Sequence, residues 1–266
     1  MKLTMLVDNH TRTGHYYLGE PGLSYLIEDE GTRLLWDTGY SGIFIDNARK
    51  LGLDLETIDA IVLSHGHSDH TGGLPRYFET YKNPDLKIVA HPAALVPKYD
   101  DAGQNLGCPL SRDALEQHAQ IIATSAPFPL SPNLTFLGEI GIHNDFELRP
   151  PLGHTAAGPD LIPDDSALAY TTDRGIYIIT GCAHAGVCNI VEEAKAVTGD
   201  PRVLGIIGGF HLFKTGTRAQ KTLDYFKANK IEVLYPCHCT AFQVRALLHQ
   251  DFPVKFELGV GTVIEW

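Results

Sequence analysis

The chain alternates short apolar runs with stretches of helical spacing. Apolar residues dominate 2–8, 24–29 (SYLIED) and 33–37 (RLLWD), and Glu30-Gly31 separates the last two. Such runs predict strands, and the Glu-Gly step predicts a tight turn between the second and third. Within 43–51, Ile43, Asn47 and Leu51 recur four apart, the spacing of one helical face. Residues 58–65 (IDAIVLSH) are nearly all apolar and predict a buried strand. Helical character returns at 74–82, and KIVAH at 87–91 predicts another strand.

From Pro92 to Pro132 the periodicity fades while Gly, Pro and polar residues increase. The stretch at about 92–131 is expected to be a cap or loop insertion, with a short helix near 111–119. Beyond it, 166–181 predicts a hairpin turning at Asp173-Arg174-Gly175. Helices are expected at 187–198, 216–229 and 241–249. Strands are expected at 203–210 and at EVLYP, with a closing strand or hairpin over 254–265. Strand-rich and helix-rich stretches recur in both halves. Two facing sheets with helices outside accommodate this as a single domain over 1–266.

Composition changes this picture little. The 266 residues are 44% apolar and 20% charged, ordinary for a globular chain whose core needs no disulfides. Five cysteines, an odd number, argue against a disulfide framework. The net charge of −11 argues against coating nucleic acid, which needs clustered Lys and Arg, but leaves a small phosphorylated substrate open. The first apolar run is broken by Asp8 and is too short for a secretory segment, and no apolar stretch has the length of a membrane span. The cytoplasm is the expected location. No coiled-coil pattern sets an oligomeric state.

The chemistry concentrates in SHGHSDHTGG, 64–73, where His65, His67, Asp69 and His70 fall together. In extended chain, residues two apart face the same way, so His65 and His67 can reach one metal ion as the chain leaves strand 58–64. Asp69 and His70 lie on the following turn. Two adjacent ions fit four such donors with less strain than one. Gly66, Gly72 and Gly73 allow the tight path.

One turn cannot complete two metal shells, so further donors must come from elsewhere. His184 (TGCAHAG), His211 (GGFHL) and His238 (PCHCT) each follow an expected strand, the pattern of ligands gathered at one edge of a sheet. His184 and His238 are read as ligands. His211 is open between ligand, support for a ligand and substrate contact. Cys182 is undecided between thiolate ligand and buried apolar residue, and Cys237 and Cys239 are read as buried. His154, in LGHTAAG, is a rival ligand that follows no clear strand. His10, His15, His91, His118, His143 and His249 are read as surface or structural. For Lys98 and Arg112, in the 92–131 stretch, substrate contact and solvated surface are both open.

The series LSYLIED, LLWDTGYSG, VLSHGHSDHTGGL, TGCAHAG, IGGFHL and PCHCT resembles the metallo-β-lactamase superfamily. His65, His67, Asp69 and His70 match its His-x-His-x-Asp-His signature. In order and spacing the series is similar to the branch containing 7,8-dihydropterin-6-methyl-4-(β-D-ribofuranosyl)aminobenzene-5′-phosphate synthase and its bacterial relatives, outside 92–131 and 145–163. The resemblance implies a four-layer αβ/βα sandwich with a binuclear metal site at one edge, and Asp37 buttressing the metal turn. Many members carry a bridging aspartate after Thr-Gly, where this chain has Cys182. The implied cofactors are two divalent metal ions, with zinc the first expectation and manganese or iron alternatives.

The expected function is a metal-dependent hydrolase or transferase acting through metal-bound hydroxide on a small phosphorylated or ester-like molecule. His65, His67 and His184 would hold one ion, and Asp69, His70 and His238 the other. Asp69 would also orient the nucleophile, and His211 would stabilise an oxyanion or leaving group. The branch offers a synthase-type condensation instead, with pyrophosphate departing. A di-iron redox protein is a further alternative, although no flavin domain or ferredoxin cysteine pattern accompanies it. A closed structural metal module is disfavoured by the number of donors and the shortage of cysteine.

Overall fold

In the computed structural model, which describes residues 1–255 and 257–266, the two hairpins expected from the alternation are both present. In chain order the first elements are β1 (Lys2–Val7), β2 (Ser24–Asp29), β3 (Thr32–Trp36), α1 (Ile43–Lys50), β4 (Ala60–Val62), α2 (Ser68–Thr71), α3 (Leu74–Thr80) and β5 (Lys87–Ala90). A 3₁₀ turn (Pro92–Leu95) follows, then α4 (Arg112–Glu116), β6 (Gln120–Ala123), β7 (Phe128–Pro129), β8 (Leu134–Phe136) and a short ribbon of β9 (His154–Thr155) and β10 (Gly158–Pro159). The remainder is β11 (Ala167–Thr172), β12 (Gly175–Thr180), α5 (Val187–Thr198), β13 (Val203–Gly208), α6 (Thr217–Ala228), β14 (Val233–Pro236), α7 (Phe242–Leu248) and β15 (Val263–Glu265).

The chain forms two compact units. The first comprises Met1–Ser125, Pro151–Asp164 and Gly259–Trp266, and the second Ala126–Pro150 and Asp165–Leu258. The first holds a seven-stranded sheet of order β15-β1-β2-β3-β4-β5-β6. It is antiparallel from β15 to β3 and parallel from β3 to β6. Leu6, Leu26, Leu35, Ile61 and Ile88 from its strands are buried with Phe44, Ile45 and Ala48 of α1 and Leu74 and Tyr77 of α3. The helix expected over 43–51 is present, but its fully buried face is Phe44, Ile45, Asn47 and Ala48, with Ile43 and Leu51 only partly buried against the same core. Asn47 is buried because its amide donates to Leu6 O and Leu18 O at 2.8 Å each, tying the 8–23 loop to the helix.

The second unit holds a six-stranded sheet of order β14-β13-β12-β11-β8-β7. Here β14, β13 and β12 are parallel, and β12 to β7 antiparallel. Ile178, Ile206 and Leu234 from the strands join Ile190, Val191 and Ala194 of α5 and Leu223 and Phe226 of α6 in its core. Helix α5 starts on the buried Glu147, whose carboxylate accepts Cys188 N at 3.0 Å and Asn189 N at 2.9 Å. It stops at Gly199, which adopts the left-handed conformation (φ 73°) that favours glycine.

Each sheet thus reads as a hairpin followed by parallel strands. The stretch 92–131 supplies edge strands to both sheets, β6 beside β5 and β7 beside β8. These strands are four and two residues long and largely unburied, so they carry no apolar alternation to be read. The strand expected over 58–65 is regular only over Ala60–Val62, because the chain beyond Leu63 turns into the histidine segment. Among the described residues no helix is long and apolar enough to cross a membrane.

Candidate metal centre

Parallel strands present their carboxyl ends on one side of a sheet, and open α/β sheets place ligands there. In the first unit, β3 ends at Asp37 and β4 leads into Ser64–His70. In the second, β12 leads to Cys182 and His184, β13 to His211 and β14 to His238. The candidate residues are therefore strand-end residues in both sheets.

In the first unit Asp37 is fully buried in a positive-φ conformation (60°), and its carboxylate organises the turn. It accepts Ser64 N, Ser64 Oγ and His70 Nδ1, each at 2.7 Å. Because the Ser64 hydroxyl proton goes to Asp37, Ser64 Oγ is left to accept from His65 Nδ1, 2.9 Å away. Both imidazoles then carry their proton on Nδ1 and turn Nε2 outward, the arrangement by which carboxylates fix metal-binding histidines. His65 Nε2 faces His67 Nδ1 at 3.0 Å, and His70 Nε2 faces Asp69 Oδ2 at 3.5 Å. Ligand atoms of His65, His67 and Asp69 lie within 4.8 Å of one another.

The electrostatics of the two pairs differ. Burial pulls the His67 imidazole below its ordinary value, against the opposing pull of Asp69 and Asp164. A neutral His67 offers its lone pair to a cation. Burial also acts against the His70 cation, but the Asp69 and Asp37 carboxylates outweigh it and hold His70 well above the usual histidine range. The backbone of the turn is closely packed. A Cβ on Gly66 would lie 2.3 Å from Ala94 O, and one on Gly73 2.3 Å from Thr38 O. Neither glycine has a positive φ. They are needed for close backbone approach rather than for the tight path that the sequence suggests.

In the second unit Cys182 Sγ lies 3.2 Å from His238 Nε2, and the His184 and His211 rings are 4.2 Å apart. Ala183, His211 and His238 all have positive φ (62°, 47° and 49°) without being glycine. Each such residue costs on the order of 1–3 kcal/mol, and such conformations persist where surrounding bonds over-determine them. Those bonds are present. Asp165 Oδ2 accepts Ala185 N at 2.9 Å, Thr180 Oγ1 donates to Gly209 O at 2.9 Å, and Phe210 N donates to Thr240 Oγ1 at 2.9 Å. Cys239 Sγ donates to Cys182 O at 3.3 Å, so Cys239 supports the loop. Cys237 is fully buried.

One other expectation changes. Lys98 is not a solvated surface residue. It is 1% exposed and donates to Asp160 Oδ2 (2.6 Å) and Asp164 Oδ1 (2.9 Å). Arg112 is exposed and pairs with Glu116. His154 is exposed on the β9–β10 ribbon, its ring 6.1 Å from that of Tyr99. His91 is buried and caps the 3₁₀ turn by accepting Ala93 N. Sequence reasoning missed Ser64, Asp164, Asp165, Asn189 and Glu147. The doublet Asp164-Asp165 directly before an apolar strand was the available signal, since two adjacent buried carboxylates require partners.

The sequence profile described as the metallo-β-lactamase superfamily matches residues 17–238. A 7,8-dihydropterin-6-methyl-4-(β-D-ribofuranosyl)-aminobenzene-5′-phosphate synthase of Methanocaldococcus jannaschii is 30% identical, over all of this chain and 97% of that protein. The crystal structure of Tm1679, described as a metal-dependent hydrolase of the β-lactamase superfamily, aligns with a TM-score of 0.82 at 26% identity, over 100% of this chain and 99% of that one. YhfI of Bacillus subtilis, a metallo-β-lactamase fold protein, aligns with a TM-score of 0.58 at 15% identity over 100% of this chain and 99% of that one. These likenesses bear out the α/β fold class expected from the sequence, with two mixed sheets flanked by helices.

Proposed function

Because the chain belongs to the metallo-β-lactamase superfamily, we propose that it is a binuclear metal-dependent hydrolase of a small phosphorylated or ester-like molecule. The observation that carries this reading is the spacing of the donor pairs. Two nitrogen ligands at the usual zinc distance, in tetrahedral geometry, stand about 3.3 Å apart, and a sulfur–nitrogen pair about 3.6 Å. The pairs His65/His67, Asp69/His70 and Cys182/His238 stand at 3.0, 3.5 and 3.2 Å. The donor set therefore fits two borderline cations, with zinc the first choice and manganese or iron alternatives.

His65, His67 and His184 would hold one ion, and Asp69, His70 and His238 the other. Cys182 takes the position of the superfamily's bridging aspartate. When bound, such ions supply Lewis acidity and a nucleophilic water at neutral pH. The chain's own residues do the rest. Asp37 and Ser64 fix the imidazole tautomers. Asp69 accepts a hydrogen bond from the attacking water and aims it, and His211 donates to the charge developing on the leaving oxygen. Water adds across the scissile bond, its oxygen going to phosphorus or acyl carbon and its proton to the leaving group.

Tm1679 supports hydrolysis, since it shares more than a quarter of its residues with this chain over full length. The 30% identity to the M. jannaschii synthase favours a second reading, a condensation, in which an arylamine nitrogen would bond a pterin's methyl carbon as that carbon's bond to pyrophosphate breaks and the amine proton is lost. Turnover of phosphodiesters, phosphate monoesters, thioesters, lactams and pterin phosphates in ¹⁸O-water separates the two. Hydrolysis puts ¹⁸O into product. A condensation leaves the released pyrophosphate unlabelled and requires the amine. Loss of all turnover in His65→Ala is expected, and retained turnover would refute both readings.

A further inference from the structure

The first unit contains a buried ionic cluster next to the metal turn but outside the proposed ligand set. Lys98 bridges Asp160 and Asp164, and all three side chains are at most 2% exposed. Every carboxylate oxygen in the cluster is used. Asp160 Oδ2 accepts Lys98 Nζ (2.6 Å) and Oδ1 accepts Ile162 N (2.8 Å). Asp164 Oδ1 accepts Lys98 Nζ (2.9 Å), and Oδ2 accepts Gly66 N at 2.7 Å. Gly66 is the residue between His65 and His67. The same backbone is also packed against the 94–106 segment, where a Cβ on Gly66 would meet Ala94 O and Ser68 N donates to Leu106 O at 2.8 Å.

Two carboxylates and one ammonium leave this cluster with a surplus negative charge. Buried charge is costly unless compensated, and Asp164 is hydrogen-bonded to the residue between the two histidines. A cation held by His65 and His67 would supply that compensation. We propose that Asp164, steadied by Lys98, is a positioning residue for the metal site: it holds the His65–His67 backbone in register through Gly66 and places surplus negative charge beside the bound cation. Asp160 carries an equal charge on the same lysine but bonds Ile162 rather than the histidine turn. This inference rests on the proposed metal-binding reading.

The contrast between the two aspartates provides the test. Asp164→Asn and Asp160→Asn each remove one charge from the same lysine. Zinc affinity is measured by competition with a chromogenic chelator, and thermal melting is recorded on the metal-free protein. Both substitutions are expected to lower the metal-free melting temperature by similar amounts. Asp164→Asn should weaken the tighter zinc at least tenfold, as outer-shell partners typically do, whereas Asp160→Asn should change it less than about threefold. Amide exchange at Gly66 should accelerate in Asp164→Asn alone. Equal affinity losses in the two variants, or unchanged Gly66 exchange, would overturn the positioning role. If Asp164→Asn fails to fold, Lys98→Arg keeps both charges while moving the donor, and it should shift zinc affinity and Gly66 exchange together. Movement of neither overturns the proposal. Absence of any zinc binding by the wild-type chain overturns the metal reading itself, a result distinct from all of these.

Discussion

Replacing Asp37 probes whether the histidine turn is organised from behind. Asp37→Ala would leave three buried donors without their acceptor, namely Ser64 N, Ser64 Oγ and His70 Nδ1, each now bonded at 2.7 Å. An abandoned buried donor costs about 1–3 kcal/mol, and breaking a buried charge pair about 3–5 kcal/mol. The pair and one further abandoned donor together make about 4–8 kcal/mol, or roughly 8–32 °C in melting temperature for a chain of this size. Asp37→Asn keeps the volume but turns an amide donor toward groups that are themselves donors. It should fold with a smaller loss of about 2–3 kcal/mol. Its zinc affinity should fall about 10–100-fold, because the tautomers of His65 and His70 are no longer imposed. Chelator competition and thermal melts on both variants measure this. Wild-type zinc affinity in Asp37→Asn, with melting within about a degree of the parent, would refute the relay from Asp37 through Ser64 to the imidazoles.

Other substitutions test separate links. Gly66→Ala places a methyl group 2.3 Å from Ala94 O and is expected to lower metal affinity and cost about 1–3 kcal/mol in a denaturant titration. Glu147→Ala removes the acceptor for Cys188 N and Asn189 N at the start of α5 and should destabilise by about 2–4 kcal/mol, seen as a lower urea midpoint. Glu192 gives a pH signature. Burial raises its carboxylate, but the Tyr225 hydroxyl and Lys195 outweigh this and hold it below the usual range. Its contribution is therefore present above about pH 4.3, the ordinary glutamate value, and is lost as pH falls through the lower folded value. Glu192→Gln should lack that part of the acid-side loss in melts taken from pH 6 downward.

The fold was legible wherever an element buries one face. Ile43, Asn47 and Leu51 marked α1, and the unbroken run at 203–208 marked β13, because core packing imposes periodicity. Short edge strands such as Phe128–Pro129 and the His154–Thr155 ribbon bury too little to impose any. At the site, His65, His67, Asp69 and His70 stood out because four ligand residues in six positions have few other uses. Their supports did not stand out. Lys98 and Asp164 are 66 positions apart, and Asp164 and Gly66 are 98 apart. Only the fold brings them together, and an isolated lysine in a weakly patterned stretch reads as solvated. The positive φ of Ala183, His211 and His238 was also invisible, since residue type alone does not mark them for the left-handed region.

The most direct measurement is elemental analysis of the purified wild-type chain alongside His67→Ala and His238→Ala. About two divalent ions per wild-type chain are expected, with each variant retaining about one. A wild-type chain that binds no metal after loading, or a His238→Ala variant that keeps both ions at wild-type affinity, would contradict the proposed pair of ions and the role given to His238.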